Sequence, residues 1–279
     1  MLDFICFMER LAVIILAAGK GKRMKSHLPK VLHLLADKPL LGHVIDLAKG
    51  LNSERIIIVI GHGAERVREV FTPPASPSLT TSPSPPSKGG EKGEVKRGGS
   101  GGVEFVEQKE QLGTGHAVQQ TEESLRDYDG NILILSGDAP LLKIDTIRKL
   151  IKIHRESDAV VTVLTAEVDN PSGYGRVVRD SNRRAINIIE EKDASSEIKK
   201  IAEINSGIYC FKKDYLFNAL KKIDKNNIQQ EYYLTDVVGL AFKSSLKIET
   251  LVAEDPDEIM GINTQEELKE EERIAMSNE

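Results

Sequence analysis

The chain has 279 residues, 40% hydrophobic and 29% charged, with a formal net charge of -5. This balance suits a globular chain of one large or two small α/β domains, and it excludes a disordered chain or a global basic field for nucleic acid. Two cysteines, Cys6 and Cys210, exclude a disulfide framework and a thiolate metal site, and they point to a reducing compartment such as the cytoplasm.

Residues 1–10 read as an N-terminal extension. The stretch is apolar, but Glu9 and Arg10 interrupt it, Asp3 sits near its start and no basic region precedes it, so it does not read as a signal peptide. Met8 is a candidate start. Leu11 to Leu16, rich in β-branched residues, is too short to span a bilayer. Bounded by Ala17, Ala18 and Gly19, it reads as a strand buried on both faces. The loop after it holds Gly19 and Gly21, where backbone can approach a ligand, among Lys20, Lys22, Arg23, Lys25 and Lys30. Amides for oxygens and cations for charge make a phosphate loop.

Residues 29–35 and 40–51 place apolar side chains at helical spacing, with Pro39 at the second start. Arg55 to Ile60 is a second buried strand, and 64–71 reads as a short helix. This alternation predicts a Rossmann-like α/β fold, a mostly parallel central sheet with helices on both faces. Residues 72–102 break the pattern with Pro, Ser and Thr, then Gly, Lys and Glu. They read as a disordered insertion in a surface loop, and less well as a docking segment for a partner.

The pattern resumes with a strand at 103–107, a helix at 116–125 and a buried strand at 131–136. Next come a helix over 145–156, a strand over 159–166, a turn-rich loop at 170–176 and a hairpin-like stretch to Glu190. A strand at 203–211, helices at 214–223 and 230–242, and a strand at 245–253 follow. The charged end, 264–273, reads as a solvated helix.

Three places carry chemistry. Asp138 directly follows a buried strand, at the edge where α/β sheets bind ligands. It reads either as a Mg²⁺ ligand shared with substrate phosphates or as a turn cap. Gln111 to Gly115 puts two glycines around Thr114, so the loop can meet a base or a phosphate, or simply cap a helix. His116 reads as structural. Gly175, Glu190 and Asn205 are a possible polar cluster, and a buried amide at Asn205 suits sugar hydroxyls. There is no Ser-His-Asp or Cys-His spacing and no zinc ligand set. Phosphate and metal binding without a nucleophile favours transfer between two bound substrates.

LAAGKGKRMKSHLPKVLH, followed in order by QLGTGHA, LSGDAPL, GYGR, EEKDA, EINSGIY and QEYYLTD, resembles the sugar-nucleotide pyrophosphorylase family. The likeness is to the uridyltransferase domain of the bacterial N-acetylglucosamine-1-phosphate uridyltransferases, over about Leu11 to Asn263. It implies a nucleotide-diphospho-sugar transferase fold over 11–263, interrupted at 72–102, with 264–279 a charged helix or tail. It implies that Leu16, Ala17, Ala18, Gly19 and Gly21 lie against the nucleotide. Arg23 and Lys30 would bind the triphosphate and act in catalysis, while Gln108, Gly113 and Thr114 would read the uracil. Asp138 and Asn263 would hold Mg²⁺, and Gly175, Glu190 and Asn205 would hold the amino sugar and ribose. The implied substrates are UTP and N-acetylglucosamine 1-phosphate, serving cell-envelope precursor synthesis, with no nucleic acid and no membrane insertion. The same chemistry on another sugar 1-phosphate, or with dTTP, stays open, as does a non-catalytic sugar-nucleotide sensor. The joint presence of Asp138, Asn263, Arg23 and Lys30 argues against the sensor.

Two positions depart from the family: Lys22 stands where Thr is usual, and Ser136 where many members carry an aromatic. The family's bifunctional members continue into a β-helix of hexapeptide repeats, which this sequence lacks. No acetyltransferase activity and no β-helix-driven trimer are therefore expected.

Overall fold

The computed structural model describes residues 10–72 and 102–277. The expectations for 1–9 and 73–101 fall outside the described residues. The chain runs β1 (Leu11–Ala17), β2 (Leu34–Leu35), β3 (Lys38–Pro39), α1 (Leu40–Gly50), β4 (Arg55–Ile60), α2 (Ala64–Phe71) and β5 (Val103–Glu107). It continues through α3 (Thr114–Gln119), β6 (Asn131–Ser136), α4 (Ile144–Ser157), β7 (Val161–Glu167), β8 (Arg176–Arg179), β9 (Ala185–Ile189) and β10 (Glu203–Lys212). α5 (Lys213–Leu220), α6 (Asp236–Lys243), β11 (Ile248–Val252) and α7 (Gln265–Ser277) complete it.

Among the described residues the main sheet has the order β11-β7-β10-β6-β1-β4-β5, with β8 and β9 branching from β10. β1 is central and pairs in parallel with β4 and β6, β4 pairs in parallel with β5, and β7 with β11. β10 alone in that order runs antiparallel, against both β6 and β7. Alternate residues of β1 feed two cores. Val13 and Ile15 pack with Leu41, Val44 and Ile45 of α1 and Ile147 and Leu150 of α4. Ala12 and Ile14 pack with Val118 of α3, Phe217 and Leu220 of α5 and Val237 of α6. Burial on both faces is why β1 is an unbroken apolar run rather than an alternating one. The α/β reading with helices on both faces holds.

Local departures have identifiable causes. Residues 29–35 do not form a helix. Lys30–Leu32 makes one 3₁₀ turn, and β2 then doubles back to β3 through Ala36 and Asp37, at φ +48° and +58°. That pair of positive φ values matches a tight hairpin turn, not a helix. The helix expected over 116–125 starts at Thr114 and stops at Gln119, with a separate 3₁₀ turn at Glu123–Leu125. Near the break, the buried Thr121 hydroxyl donates to Val118 O at 2.7 Å, in place of a regular ladder. The helix expected from residue 230 starts at Asp236. Gln230 sits at φ +55°, and Tyr232 pairs its N–H with Leu112 O at 2.8 Å, which holds the segment outside a helix. The C-terminal helix is not wholly solvated. Leu268 is buried with Met24, Leu35, Leu40 and Ile262.

His154 of α4 is buried against β7, with Nδ1 2.9 Å from Thr162 Oγ1. Burial, with the nearby charges of Lys212 and Arg155, pushes its pKa down from 6.5 to about 4. The unfolded chain therefore binds this proton more readily. The stability is complete above about pH 6.5 and is lost as pH falls towards 4, by up to about 3 kcal/mol. His154→Gln is expected to flatten the fall of the urea midpoint between pH 7 and 4.5. Equal slopes in variant and wild type would show that His154 is not the group responsible.

Candidate active site

Parallel pairing brings the carboxyl ends of β1, β4, β5 and β6 to one edge. Ala17 lies beside Ile60, Leu16 beside Ser136, and Ile60 beside Glu107. Gly19, Gln108 and Asp138 each follow within two residues of those ends. Backbone bonds continue the sheet into the loops: Gly137 N donates to Leu16 O at 2.9 Å, and Gln108 N to Ile60 O at 2.7 Å. A cleft of about 630 Å³ opens there. Its wall contains Leu16, Ala17, Ala18, Gly19, Gly21, Arg23, Lys30, Gln108, Gly113, Thr114, Asp138 and Asn263, so the expected nucleotide, catalytic and metal residues are brought together. Lys20, Lys22 and Ser136 join them.

The Gly/Lys loop after β1 is shaped by its contacts. Gly21 has φ +56°, and a Cβ there would come within 2.7 Å of Lys30 Cβ, so the loop closes on the lysine only with glycine. Met24 is 1% exposed and plugs the adjoining 3₁₀ turn, Lys22–Met24, into the small core beneath α7. Gln265 Nε2 donates to Met24 O at 3.0 Å.

At the loop's mouth three distant segments meet. Lys30 Nζ donates to Asp138 Oδ2 and, at 2.6 Å, to Asn263 Oδ1. Arg23 donates to the same Asn263 oxygen at 2.8 Å. Asn263 is held by the start of α7, where Glu267 Oε2 accepts from Asn263 N at 2.6 Å and Thr264 N at 3.2 Å. Thr264 Oγ1 accepts from Glu267 N at 3.1 Å, which completes a capping box. Two hard oxygens, one anionic, therefore converge on one cationic atom. Such a donor pair fits Mg²⁺ that takes its other ligands from phosphates and water. Among the described residues no three His, Cys, Asp or Glu side chains form a metal-binding group.

The opposite wall of the cleft is built by Gln108, which is 3% exposed and donates to Gly113 O at 3.0 Å, with His116 Nδ1 also 3.0 Å from its amide nitrogen. His116 is thus structural, as its position suggests. Gly113 has φ +107°, and a Cβ there would lie 2.5 Å from Tyr232 O. Thr114 Oγ1 accepts from Leu234 N at 3.0 Å, so its hydroxyl anchors the 232–234 segment. Sequence reasoning missed Gln229 and Glu231, which also line this cleft. Glu231 lies in the stretch read as a helix, and Gln229 directly before it. The signal was the polar run Gln229-Gln230-Glu231, which offers a helix no apolar face.

Gly175, Glu190 and Asn205 form a separate cluster outside the lining of that cleft. A Cβ on Gly175 would lie 3.5 Å from Glu190 Oε2 and 3.6 Å from Asn205 Cβ. Asn205 N donates to Gly175 O at 2.9 Å, and Thr235 Oγ1 donates to Glu190 Oε1 at 3.1 Å. Burial raises the Glu190 pKa; the Thr235 bond opposes this, and Asp236, Asp193 and Glu231 add to it. Asp236 is pushed up to about 6 by burial and by Asp224 and Asp193. A small cavity of about 140 Å³ is lined by Arg23, Ser136, Asp138 and Asn263 and by Tyr174 and Ser206, the chain neighbours of Gly175 and Asn205.

The model of the nucleotidyl transferase family matches residues 12–256. The chain belongs to the nucleotidyl transferase family. Within this family it is 42% identical over 267 residues to the bifunctional protein GlmU of Pelobacter propionicus, covering 96% of this chain and 52% of that protein. It is 40% identical to the bifunctional protein GlmU of Desulfotalea psychrophila, over 92% of this chain and 68% of that protein. The chain spans about half the length of most of the curated relatives it matches. A UDP-glucose pyrophosphorylase solved with UDP-glucose shares the fold at a TM-score of 0.71 and 16% identity, covering 97% of this chain and all of that one. Among the described residues no helix is long and apolar enough to cross a membrane.

Gly113→Ala places a Cβ against Tyr232 backbone in an unfavourable φ region. The expected loss is about 1–3 kcal/mol in urea unfolding. KM for the nucleotide should rise with it, since Gln108 bonds to the carbonyl that must shift. Unchanged values for both would show that the loop tolerates the side chain.

Proposed function

We propose that this chain transfers a uridylyl group from UTP to N-acetylglucosamine 1-phosphate, giving UDP-N-acetylglucosamine and pyrophosphate, with Mg²⁺ as cofactor. The observation that carries this reading is the meeting of Lys30, Arg23, Asp138 and Asn263 at the mouth of the Gly-rich cleft, where Arg23, Asp138 and Asn263 also line a small cavity that reaches Tyr174 and Ser206, the chain neighbours of Gly175 and Asn205. Transfer between two substrates needs charge at the junction of their two sites. The choice of sugar and nucleotide follows from the resemblance of the ordered motifs to the N-acetylglucosamine-1-phosphate uridyltransferases, and the similarity to GlmU proteins supports the nucleotidyltransferase part of the reading.

A phosphate oxygen of the sugar 1-phosphate attacks the α-phosphorus of UTP. A new P–O bond forms, the bond to the β-phosphate oxygen breaks, and pyrophosphate leaves in line. Arg23 and Lys30 neutralise the triphosphate, and Lys30 leaves its protein oxygens for phosphate. The Gly19–Gly21 backbone orients the chain of phosphates. Asp138 and Asn263 would hold Mg²⁺, which supplies further charge neutralisation to the phosphates when bound. Asn205 and Glu190 offer an amide and a carboxyl group to the sugar's hydroxyls and acetamido group. The protein's part is position and electrostatics, with no covalent intermediate.

Pyrophosphate release from UTP and N-acetylglucosamine 1-phosphate is the direct test. Equal turnover with glucose 1-phosphate would remove the acetamido-sugar assignment, and binding of the UDP-sugar without pyrophosphate release would indicate a sensor. Asp138→Ala is expected to keep the wild-type circular dichroism spectrum and lower kcat by roughly a hundred- to a thousandfold. Full turnover in this variant would refute its role.

A further inference from the structure

Arg176 is 1% exposed, an unusual place for a guanidinium. It opens β8, and its backbone pairs with Ile189 of β9 on one side and Ile204 of β10 on the other. Each of these three residues is the immediate neighbour of a member of the sugar-side cluster. Gly175 precedes Arg176, Glu190 follows Ile189, and Asn205 follows Ile204. The cluster is therefore the next rung of a three-strand ladder whose first rung is centred on Arg176.

The side chain ties down the segments around that rung. One terminal nitrogen donates to Tyr174 O. The other makes an ion pair with Glu191 Oε2 at 2.8 Å and donates to Lys199 O at 3.4 Å. Nε has no hydrogen-bond partner. These contacts hold the loop before Gly175, the residue after Glu190, and the 3₁₀ turn Ile198–Lys200 that leads into β10. Gly173 has φ +87°, a conformation that favours glycine, and Tyr174 N donates to Pro171 O at 3.3 Å, so the chain turns sharply just before the clamped carbonyl. Tyr174, whose carbonyl is clamped, lines the small cavity beside Asp138 and Arg23.

We propose that Arg176 is a positioning residue for the sugar 1-phosphate, acting through Tyr174 O and Glu191 to fix the spacing of Gly175, Glu190 and Asn205. This rests on the uridylyl-transfer reading. A planar fork that bonds two carbonyls and pairs with a carboxylate from a buried site has no equivalent in lysine, which carries a single point charge. Arg176→Lys and, as the milder variant, Glu191→Gln are the test. Both are first checked for wild-type circular dichroism and a cooperative melt.

In Arg176→Lys, KM for N-acetylglucosamine 1-phosphate is expected to rise at least tenfold while KM for UTP stays within twofold. Glu191→Gln is expected to show the same split at smaller size. A purely structural role would move both KM values together, and that result, or no change in either, overturns the proposal. Hydrogen–deuterium exchange of the unliganded protein supplies a readout independent of turnover. Faster exchange across 173–176 and 190–193 in Glu191→Gln supports the clamp, and exchange equal to wild type refutes it, even if Arg176→Lys fails to fold. Should the wild type not turn over these substrates, the uridylyl-transfer reading fails, and the exchange result still decides whether the clamp exists.

Discussion

One ammonium group holds the site together. Lys30 Nζ reaches Asp138 Oδ2 and Asn263 Oδ1, and so joins residues 108 and 233 positions away along the chain. The lysine side chain is 11% exposed and the aspartate 26%, so water screens the pair only in part. Each partner would be costly to leave alone in such a place, because a partly buried charge needs a counter-charge. In the proposed reaction, substrate phosphates and a metal ion would satisfy the same two needs. The contact that organises the protein without ligands is thus the one that ligands would rearrange.

Around this knot the supports are apolar and local. Met24 anchors the phosphate loop in the cluster it shares with Leu35, Leu40, Ile262 and Leu268. The capping box at Thr264 and Glu267 fixes Asn263 at the head of α7. Side-chain burial sets where the loop lies, and helix-end hydrogen bonds set where the amide points. The sheet supplies the third support, since the register of β1 with β6 places Asp138 just beyond Ser136, beside Leu16. The Gly175–Glu190–Asn205 cluster follows a different rule. It is held by antiparallel rungs of β8, β9 and β10, with a buried arginine behind them. The Gly-rich cleft and this cluster are joined by 232–235, which bonds to Leu112, Thr114 and Gly115 at one end and to Glu190 at the other.

Much of this was legible in residue order. Leu11–Ala17, Arg55–Ile60 and Asn131–Ser136 had to be buried strands, because short β-branched apolar runs ending at polar or glycine residues have few other stable homes. Glycines and cations after the first run marked a candidate phosphate loop from composition alone. Ordered motifs then pointed to residues expected at the nucleotide, all of which line one cleft. What misled were windows whose apolar spacing fits a helix but whose backbone is claimed by other partners. Residues 29–35 are diverted by a hairpin through Ala36 and Asp37, and 230–235 by backbone pairing with the Leu112–Gly115 loop. Leu268 looked solvated because its charged neighbours dominate the helix, while a single apolar side chain suffices to dock it.

The sequence by itself determined the strands, the Gly/Lys loop after the first of them and the chemical types available to a site, because these depend on side-chain size, β-branching, glycine and charge over a few residues. Tertiary structure alone decided that Lys30 meets Asp138 and Asn263, that Gly175 lies between Glu190 and Asn205, and that Arg176 is buried behind them. Those contacts depend on strand order and register. Register is set by summed burial across the whole sheet, which no local window of the chain contains.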